Sequence, residues 1–268
     1  MMFVFVSTAW IVGSMSIYNI LQDFTNQWFW LLFAFIYSIV LNEVYVHEIC
    51  SHGDPQKINP NRLTYKILTF LAAVDHAYGT VTNMCITHRH HHLYPDTPED
   101  SLGWKRHWHD VCILSPWMFF TAKFLSFNDS EGYFVTQQKR YQHLLDDQYT
   151  RFVESNKIFL TIAFWSLLYL LFPVILFNII FVGRVLISIF QGLAAIPGHN
   201  WMPFGYRNFN TDDNTYNHLL LHYLSLGLFT GMLHNNHHGL SQFDTSKYRW
   251  FEFDSSKYFI RAIKKLIN

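Results

Sequence analysis

Long uncharged apolar runs constrain this chain more than any other feature. Residues 2–21 (MFVFVSTAWIVGSMSIYNIL) carry no charged side chain, and residues 28–42 (WFWLLFAFIYSIVLN) are again apolar after a short polar patch. A third block, residues 158–198, is about twice as long as the ~20 residues that one membrane-crossing helix needs. Pro173 and Gly183 offer places for a turn inside it. We therefore predict four membrane spans, at about residues 2–21, 28–47, 157–176 and 178–198.

The composition agrees with an all-α integral membrane protein. Charged residues make up 14% of the chain, against about 25% in a typical soluble domain. The first apolar run lacks the basic start and the A-x-A-like site of a cleaved signal peptide, so we interpret it as an uncleaved span. Lysines and arginines balance acidic residues at 19 each, which argues against a nucleic-acid partner.

The positions of the basic residues predict the orientation. No Lys or Arg precedes His47, and Arg184 alone lies inside an apolar block away from its ends. By the positive-inside rule, residues 48–156 and 199–268 should both face the cytoplasm. The whole chain, residues 1–268, is then a single domain: two helical hairpins beneath one helical cytoplasmic cap. The basic, aromatic C-terminal tail is typical of an amphipathic interfacial segment.

Histidine is the compositional outlier, with 16 residues, and many of them form three clusters. These are HEICSH at 47–52, HRHHH at 88–92 and HNNHH at 234–238, each at or beyond the end of an apolar segment. On a helix His88, His91 and His92 share one face, whereas His90 points away from it. The third cluster repeats this H-x-x-H-H spacing. Two copies of the pattern predict metal ligation rather than a surface patch.

The first cluster has a different spacing. His47 and His52 are five residues apart, about 140° around an α-helix, so either they serve two metals or the helix ends between them. Eight histidines exceed the four ligands of a structural zinc, which favours a dinuclear centre of nearly all nitrogen ligands. Cys50, Cys85 and Cys112 have no C-x-x-C spacing, and we interpret them as reduced thiols.

The three clusters resemble the histidine boxes HxxxxH, HxxHH and HxxHH of the membrane fatty acid desaturases. Residues 205–217 (GYRNFNTDDNTYN) and 248–254 (YRWFEFD) are also similar to segments of the bacterial members of that family. The resemblance implies four transmembrane helices beneath a cytoplasmic cap, with two irons held by nine histidines. Residue by residue, the implied ligands are His47, His52, His88, His91, His92, His199, His234, His237 and His238.

The chain departs from the family pattern at several positions. Three extra residues separate the ninth histidine, His199, from Gly205, and Ala195 stands where members often have Asn. Gly231 stands where many members have Glu, and residues 100–102 (DSL) replace the usual Asp-Pro-His.

The resemblance implies an oxygen-dependent desaturase that introduces a cis double bond, at position delta-9, into a saturated acyl chain. Its cofactors would be two iron ions, with O2 as co-substrate and no catalytic residue beyond the iron ligands. Electrons would come from an external donor of the ferredoxin or cytochrome b5 type, since the chain has no haem, flavin or iron–sulfur motif. The acyl chain could be linked to lipid, CoA or a carrier protein. Ile86 and Thr87 stand where animal acyl-CoA members have Arg-Asp, which favours lipid or a bacterial carrier.

Two alternatives stay open at the level of the sequence. A hydroxylase or other oxygenase of the same superfamily would use the same boxes, because both reactions begin by removing hydrogen. A membrane zinc transporter or zinc hydrolase belongs to a different class. A transporter should place its ligands near the middle of the bilayer, whereas these clusters lie at the ends of the spans.

Overall fold

The structure, a computed structural model, describes residues 28–75, 80–97, 99–100, 133–172, 177, 181, 198–199, 205–240 and 245–268. Throughout these ranges the regular structure is helical, and extended pairing is limited to two isolated antiparallel bridges that join Asn217 to Tyr206 and to Leu233. The helical architecture confirms the all-α prediction. The predicted span at residues 2–21, and nearly all of the one at 178–198, lie outside the described residues.

One long helix runs from the apolar N-terminal region into the first histidine box. Helix α1, Trp28–Ile39, continues without a break as a π-helix, Val40–His52. Residues Phe29–His52 form a segment of 24 residues that, within the described ranges, is the one helix long and apolar enough to cross a membrane. The predicted span at 28–47 lies within this helix, which continues to His52.

The third predicted span, 157–176, corresponds to a helix that ends sooner. Helix Lys157–Leu171 has 15 residues, and Phe172 after it adopts an extended conformation. It is shorter than a typical span of about 20 residues, and residues 173–176 lie outside the described ranges. The four-span topology therefore stays a prediction.

The other helices of the described ranges, with Lys157–Leu171 among them as α7, have between 5 and 15 residues. In chain order they are α2 Leu63–Asp75, α3 Val81–His91, α4 Tyr133–Arg140, α5 Gln142–Asp146, α6 Gln148–Ser155, α7 Lys157–Leu171, α8 Leu219–Leu224, α9 His234–Gly239 and α10 Ser256–Ile267. Two have clear N-caps: the side chain of Thr80 accepts a hydrogen bond from the Asn83 amide, and that of Asp147 accepts one from the Thr150 amide. Short 3-10 turns lie at Pro55–Lys57 and Thr230–Met232.

A buried core surrounds the π-helix. Its apolar side chains pack with those of α2, α3 and α10 in a single cluster. Helix α10 contributes Ile260, Ile263 and Ile267, whose spacing places them on one face. The tail is therefore amphipathic as predicted, but its isoleucine face packs against the protein core.

A second, smaller cluster joins α1 to the segment before the third histidine box. Phe35 and Ile39 of α1 pack with Leu228, Phe229 and Met232. This packing holds the turn at Thr230–Met232, and helix α9 directly after it, beside the junction of α1 and the π-helix. The first and third boxes are thereby brought together.

Candidate metal centre

The structure brings the nine histidines of the sequence prediction together, eight of them in two adjoining groups of four. The first group is His47, His52, His88 and His237, and the second is His91, His199, His234 and His238; within each group the ligand atoms lie within 4.8 Å of one another. His92 lies between the groups. Its Nε2 is 3.0 Å from Nε2 of His88 and 3.0 Å from Nε2 of His237, and its ring stacks on that of His238 with centroids 4.2 Å apart.

Helices α3 and α9 each supply both groups. On α3, His88 belongs to the first group and His91, three residues later, to the second. On α9, His237 belongs to the first group and His234 to the second. The H-x-x-H-H spacing places these side chains on one face of a helix, as predicted. His90 lies outside both groups with its ring beside that of Tyr94.

His47 and His52 belong to the same group, which argues against the interpretation that they serve two metals. Their ring centroids are 5.1 Å apart, and both rings contact that of His88. The sequence estimate assumed an α-helix, but this segment is a π-helix, whose i→i+5 hydrogen bonds bring residues five apart to neighbouring positions one turn apart. The second alternative also fails, because the helix continues through His52.

The geometry of the nitrogen atoms fits metal ions. Nε2 of His88 lies 2.8 Å from Nε2 of His47 and 2.9 Å from Nε2 of His52, and in the second group Nε2 of His234 lies 2.7 Å from that of His199. One ring nitrogen offers either one proton or one lone pair, so it cannot form hydrogen bonds with three other ring nitrogens at once. Imidazole nitrogens bound about 2.1 Å from one ion, at right angles, are about 3 Å apart.

Aspartates contact the outward-facing nitrogens of the second group. Nδ1 of His91 is hydrogen-bonded to Asp100 at 2.8 Å. Nδ1 of His199 lies 3.1 Å from Asp96, and Nδ1 of His238 lies 3.0 Å from Asp213. A carboxylate at Nδ1 keeps the proton on that nitrogen and leaves the Nε2 lone pair for a metal.

Two glutamates of the π-helix lie beside the first group as the aspartates lie beside the second, next to Nδ1 atoms of the histidines. Nδ1 of His47 lies 3.0 Å from Oε1 of Glu43 and 3.4 Å from Oε1 of Glu48. Oε1 of Glu48 also lies 3.5 Å from Nδ1 of His237. Both carboxylates are buried.

The sequence analysis did not identify these carboxylates as a class. It predicted a site of nearly all nitrogen, which holds for the innermost atoms but omits the acidic layer around them. Glu43 could have been found, because it precedes His47 by one helical turn. Asp96 and Asp100 follow the second box without a regular helical spacing to its histidines, and Asp213 is separated from every histidine box along the chain.

Burial lowers the pKa values of several imidazoles in the second and third histidine clusters. It lowers the pKa of His238 to about 4, against the opposing effect of Asp213. Burial and neighbouring imidazoles also hold the pKa values of His88 and His237 well below the ordinary range. The pKa of Asp213 is lowered, since its contacts with His238 and with two threonine hydroxyls outweigh the effect of burial. Neutral imidazoles beside ionised carboxylates are the forms that bind a cation.

Arg89 has a structural role that its sequence position did not reveal. Its guanidinium donates hydrogen bonds to the Gly53 carbonyl and, at 2.8 Å, to the hydroxyl of Tyr141. That hydroxyl donates in turn to the Cys50 carbonyl at 2.7 Å. Arg89 therefore joins α3 to the end of the π-helix, and the second box to the first. Cys50 and Cys85 are buried free thiols, in agreement with their predicted reduced state.

The two segments that resembled bacterial desaturases meet beneath the third box. Asn208 donates to the side-chain oxygens of Asn236 and Glu252, each at 2.7 Å. The side chain of Asn217 also donates to Asn236, at 2.8 Å. Asn236 lies within the box and is fully buried. These contacts hold α9 in place between the two histidine groups.

Comparison with known proteins agrees with this geometry. The family described as fatty acid desaturase matches residues 24–249, a range that contains all nine histidines. The chain is also similar to icosanoyl-CoA 5-desaturase of Limnanthes douglasii, at 26% identity over 187 residues, which cover 67% of this chain and 47% of that protein. The chain thus spans about half the length of this curated relative. On the extent of the family match, the chain belongs to the fatty acid desaturase family.

Proposed function

We propose that this protein is an oxygen-dependent fatty acyl desaturase whose di-iron centre is held by the nine histidines. The observation that carries the proposal is the division of buried histidines into two groups of four, with His92 between them. Two adjoining nitrogen-rich groups suit two redox-active ions better than a single structural zinc. His199 joins the second group despite its altered spacing to Gly205, which supports it as the ninth ligand.

The bound irons would supply the oxidising power that removes hydrogen from an unactivated methylene. The residues of the chain would hold and orient them. Carboxylates keep the protons of the outer ring nitrogens, the Asn236 network fixes helix α9, and Arg89 fixes α3 against the π-helix. Burial of the histidines excludes bulk water from the centre.

The substrate would be a saturated acyl chain, and the product a cis alkene. Position delta-9 follows from the resemblance alone, and the curated relative is named as a 5-desaturase that acts on a CoA thioester. The activity assay should therefore test the acyl chain separately as a lipid ester, as a CoA thioester and as a carrier-protein thioester. A ferredoxin and a cytochrome b5 would each be supplied as the electron donor.

We also propose that the centre faces the cytoplasm beneath a four-span membrane domain. The candidate span ends at His52, so the first group lies at one end of that helix. This position argues against a zinc transporter, whose ligands should lie near the middle of the bilayer. Asp212 is exposed in the cap, so a cysteine substituted there should react with an impermeant maleimide in inverted vesicles and resist it in right-side-out vesicles.

The test of activity is expression in a host that lacks its own desaturase, followed by mass spectrometry of fatty acid methyl esters. We expect new double bonds with the wild-type chain and none with His237→Ala or His91→Ala, one from each group. His90→Gln, on the same turn as His91 but outside both groups, is the matched control and should retain activity. Hydroxylated products would instead identify an oxygenase of the same superfamily. Tightly bound zinc without an oxidised product would reject both oxygenase functions.

A further inference from the structure

We infer that Glu48 is a positioning residue shared by two ligands of the first histidine group, whereas the aspartates beside the second group each hold one ligand. The inference rests on the proposed di-iron function and adds to it an asymmetry between the two ions. One acidic side chain contacts two of the first ion's ligands, whereas each acid that contacts the second group within the described residues contacts one.

Glu48 lies between two histidines that come from opposite ends of the chain. Its Oε1 is 3.4 Å from Nδ1 of His47 and 3.5 Å from Nδ1 of His237. The carboxylate thereby joins the π-helix to α9. With 2% of its surface exposed, Glu48 has almost no contact with water that could replace these partners.

Glu48 shares the hydroxyl of one threonine with a second carboxylate, Glu43. The hydroxyl of Thr230 contacts Oε1 of Glu48 and lies 2.9 Å from Oε1 of Glu43. The Gly231 amide donates to the same Glu43 oxygen at 2.9 Å. A Cβ on Gly231 would lie 3.2 Å from that oxygen and 3.0 Å from the ring of Phe229, tighter than ordinary contacts. The absence of a side chain at 231 therefore leaves room for Glu43 beside the Thr230 hydroxyl, which Glu48 also contacts.

The carboxylates beside the second group are arranged differently, with one aspartate for each of three histidines. Asp100, Asp96 and Asp213 each contact a different histidine, respectively His91, His199 and His238. These aspartates belong to two separate segments of the chain. Loss of one leaves the other two pairs intact, and His234 is held separately, with Nδ1 3.1 Å from the carbonyl oxygen of Gly231.

Iron binding distinguishes these roles without any measurement of turnover. Glu48→Gln removes the negative charge, and the neutral amide oxygen that can take the place of Oε1 is a weaker acceptor for the Nδ1 protons of His47 and His237. We expect the iron content to fall from about two to about one per chain, with affinity for the lost ion about 10–100-fold weaker in chelator competition, a typical effect of removing such a partner. Mössbauer spectra should lose the signal of one iron site.

Asp213→Asn should weaken binding of the second ion, and by less than Glu48→Gln weakens binding of the first. The reason is that Asp213 contacts one histidine of its group, His238. Asp212→Asn, its exposed neighbour, is the matched control and should retain both ions. If Glu48→Gln does not fold, Thr230→Val removes only the hydroxyl that contacts Glu48 and should weaken the same ion.

Several results would overturn the inference. Unchanged iron content, affinity and spectra in Glu48→Gln would show that the carboxylate positions neither histidine. Equal loss of both ions would show that its effect is not confined to the first group. A wild-type protein that binds no iron would reject the proposed function itself, and the inference with it. If wild type holds two ions and the variants fail to separate them, the proposed function stands and the asymmetry is wrong.

Discussion

Glu252 should be among the residues most sensitive to a conservative substitution, although it contacts no histidine of the centre. Its buried carboxylate accepts five hydrogen bonds. The Tyr206 hydroxyl and the Asn208 amide donate to Oε1, each at 2.7 Å. Three donors reach Oε2, namely the side chain of Asn236 at 3.0 Å and the backbone amides of Tyr248 and Arg249 at 2.6 Å.

Glu252→Gln keeps the size of the side chain but places an amide group where an oxygen had been. The glutamine NH2 group can take the place of Oε1, which faces two donors, or of Oε2, which faces three. In both orientations the NH2 group cannot accept a hydrogen bond from these donors. Hydrogen bonds to a charged group contribute about 1.5–3 kcal/mol each, so loss of two should cost about 3 kcal/mol or more. For a chain of this size, each kcal/mol lost from the free energy of unfolding lowers the midpoint temperature by about 2–4 °C. A loss of about 3 kcal/mol should therefore lower the midpoint by about 6–12 °C.

The pH dependence of the stability difference between wild type and Glu252→Gln tests whether the charged carboxylate is responsible. Burial raises the pKa of Glu252, but the five hydrogen bonds outweigh it and hold the pKa below the ordinary carboxyl value. A carboxyl whose folded pKa is lowered contributes stability that is complete above its unfolded pKa, about 4.3, and is lost as pH falls through the folded pKa. The difference between wild type and Glu252→Gln should therefore be largest near neutral pH and narrow below about pH 4.

The assay is thermal unfolding of the purified protein in nanodiscs, with iron content measured on the same samples. Asp212→Asn, an exposed acid-to-amide change, is the control and should shift the midpoint by less than about 2 °C. The reasoning would be refuted if Glu252→Gln unfolded within about 2 °C of wild type at neutral pH. It would also fail if the destabilisation did not narrow between pH 7 and about pH 3, because the charged form would then not be responsible.

Two further substitutions test the packing around the boxes. Gly239→Ala should destabilise the protein by about 1–3 kcal/mol, since the added Cβ would lie 2.4 Å from the ring of Phe209; a midpoint equal to wild type would contradict this contact. Tyr141→Phe should cost about 1–3 kcal/mol, because the hydroxyl that accepts from Arg89 and donates to Cys50 is lost from a buried site. The same thermal assay checks it, and an unchanged midpoint would show that Arg89 alone joins the first two boxes.

Much of the centre could be predicted from the sequence because helical periodicity is local. The spacing of His88, His91 and His92 determines a shared face whatever the rest of the chain does. The same argument excluded His90, which the structure places outside both groups. The resemblance to desaturases added His199, for which no local pattern exists.

The acidic layer could not be predicted in this way. Asp213 reaches His238 because residues 205–217 fold back beneath α9, a tertiary arrangement that local spacing does not contain. The role of Arg89 also depends on Tyr141, which is distant along the chain. Local patterns therefore predicted histidines that the structure groups together, whereas tertiary packing determined which carboxylates contact them.

The π-helix explains why a spacing that appeared unfavourable in an α-helix is suitable here. Its i→i+5 register places Glu43 one turn before Glu48 and His47 one turn before His52, so a single helical segment presents two supports and two ligands on neighbouring faces. In an α-helix both pairs would be separated by about 140°, and one member of each pair would point away from the first group. The register ends at Gly53, where a Cβ would lie 2.2 Å from the Ile49 carbonyl and the Arg89 guanidinium binds the backbone. The same helix is the candidate membrane span, so the first histidine group lies at one end of that candidate span.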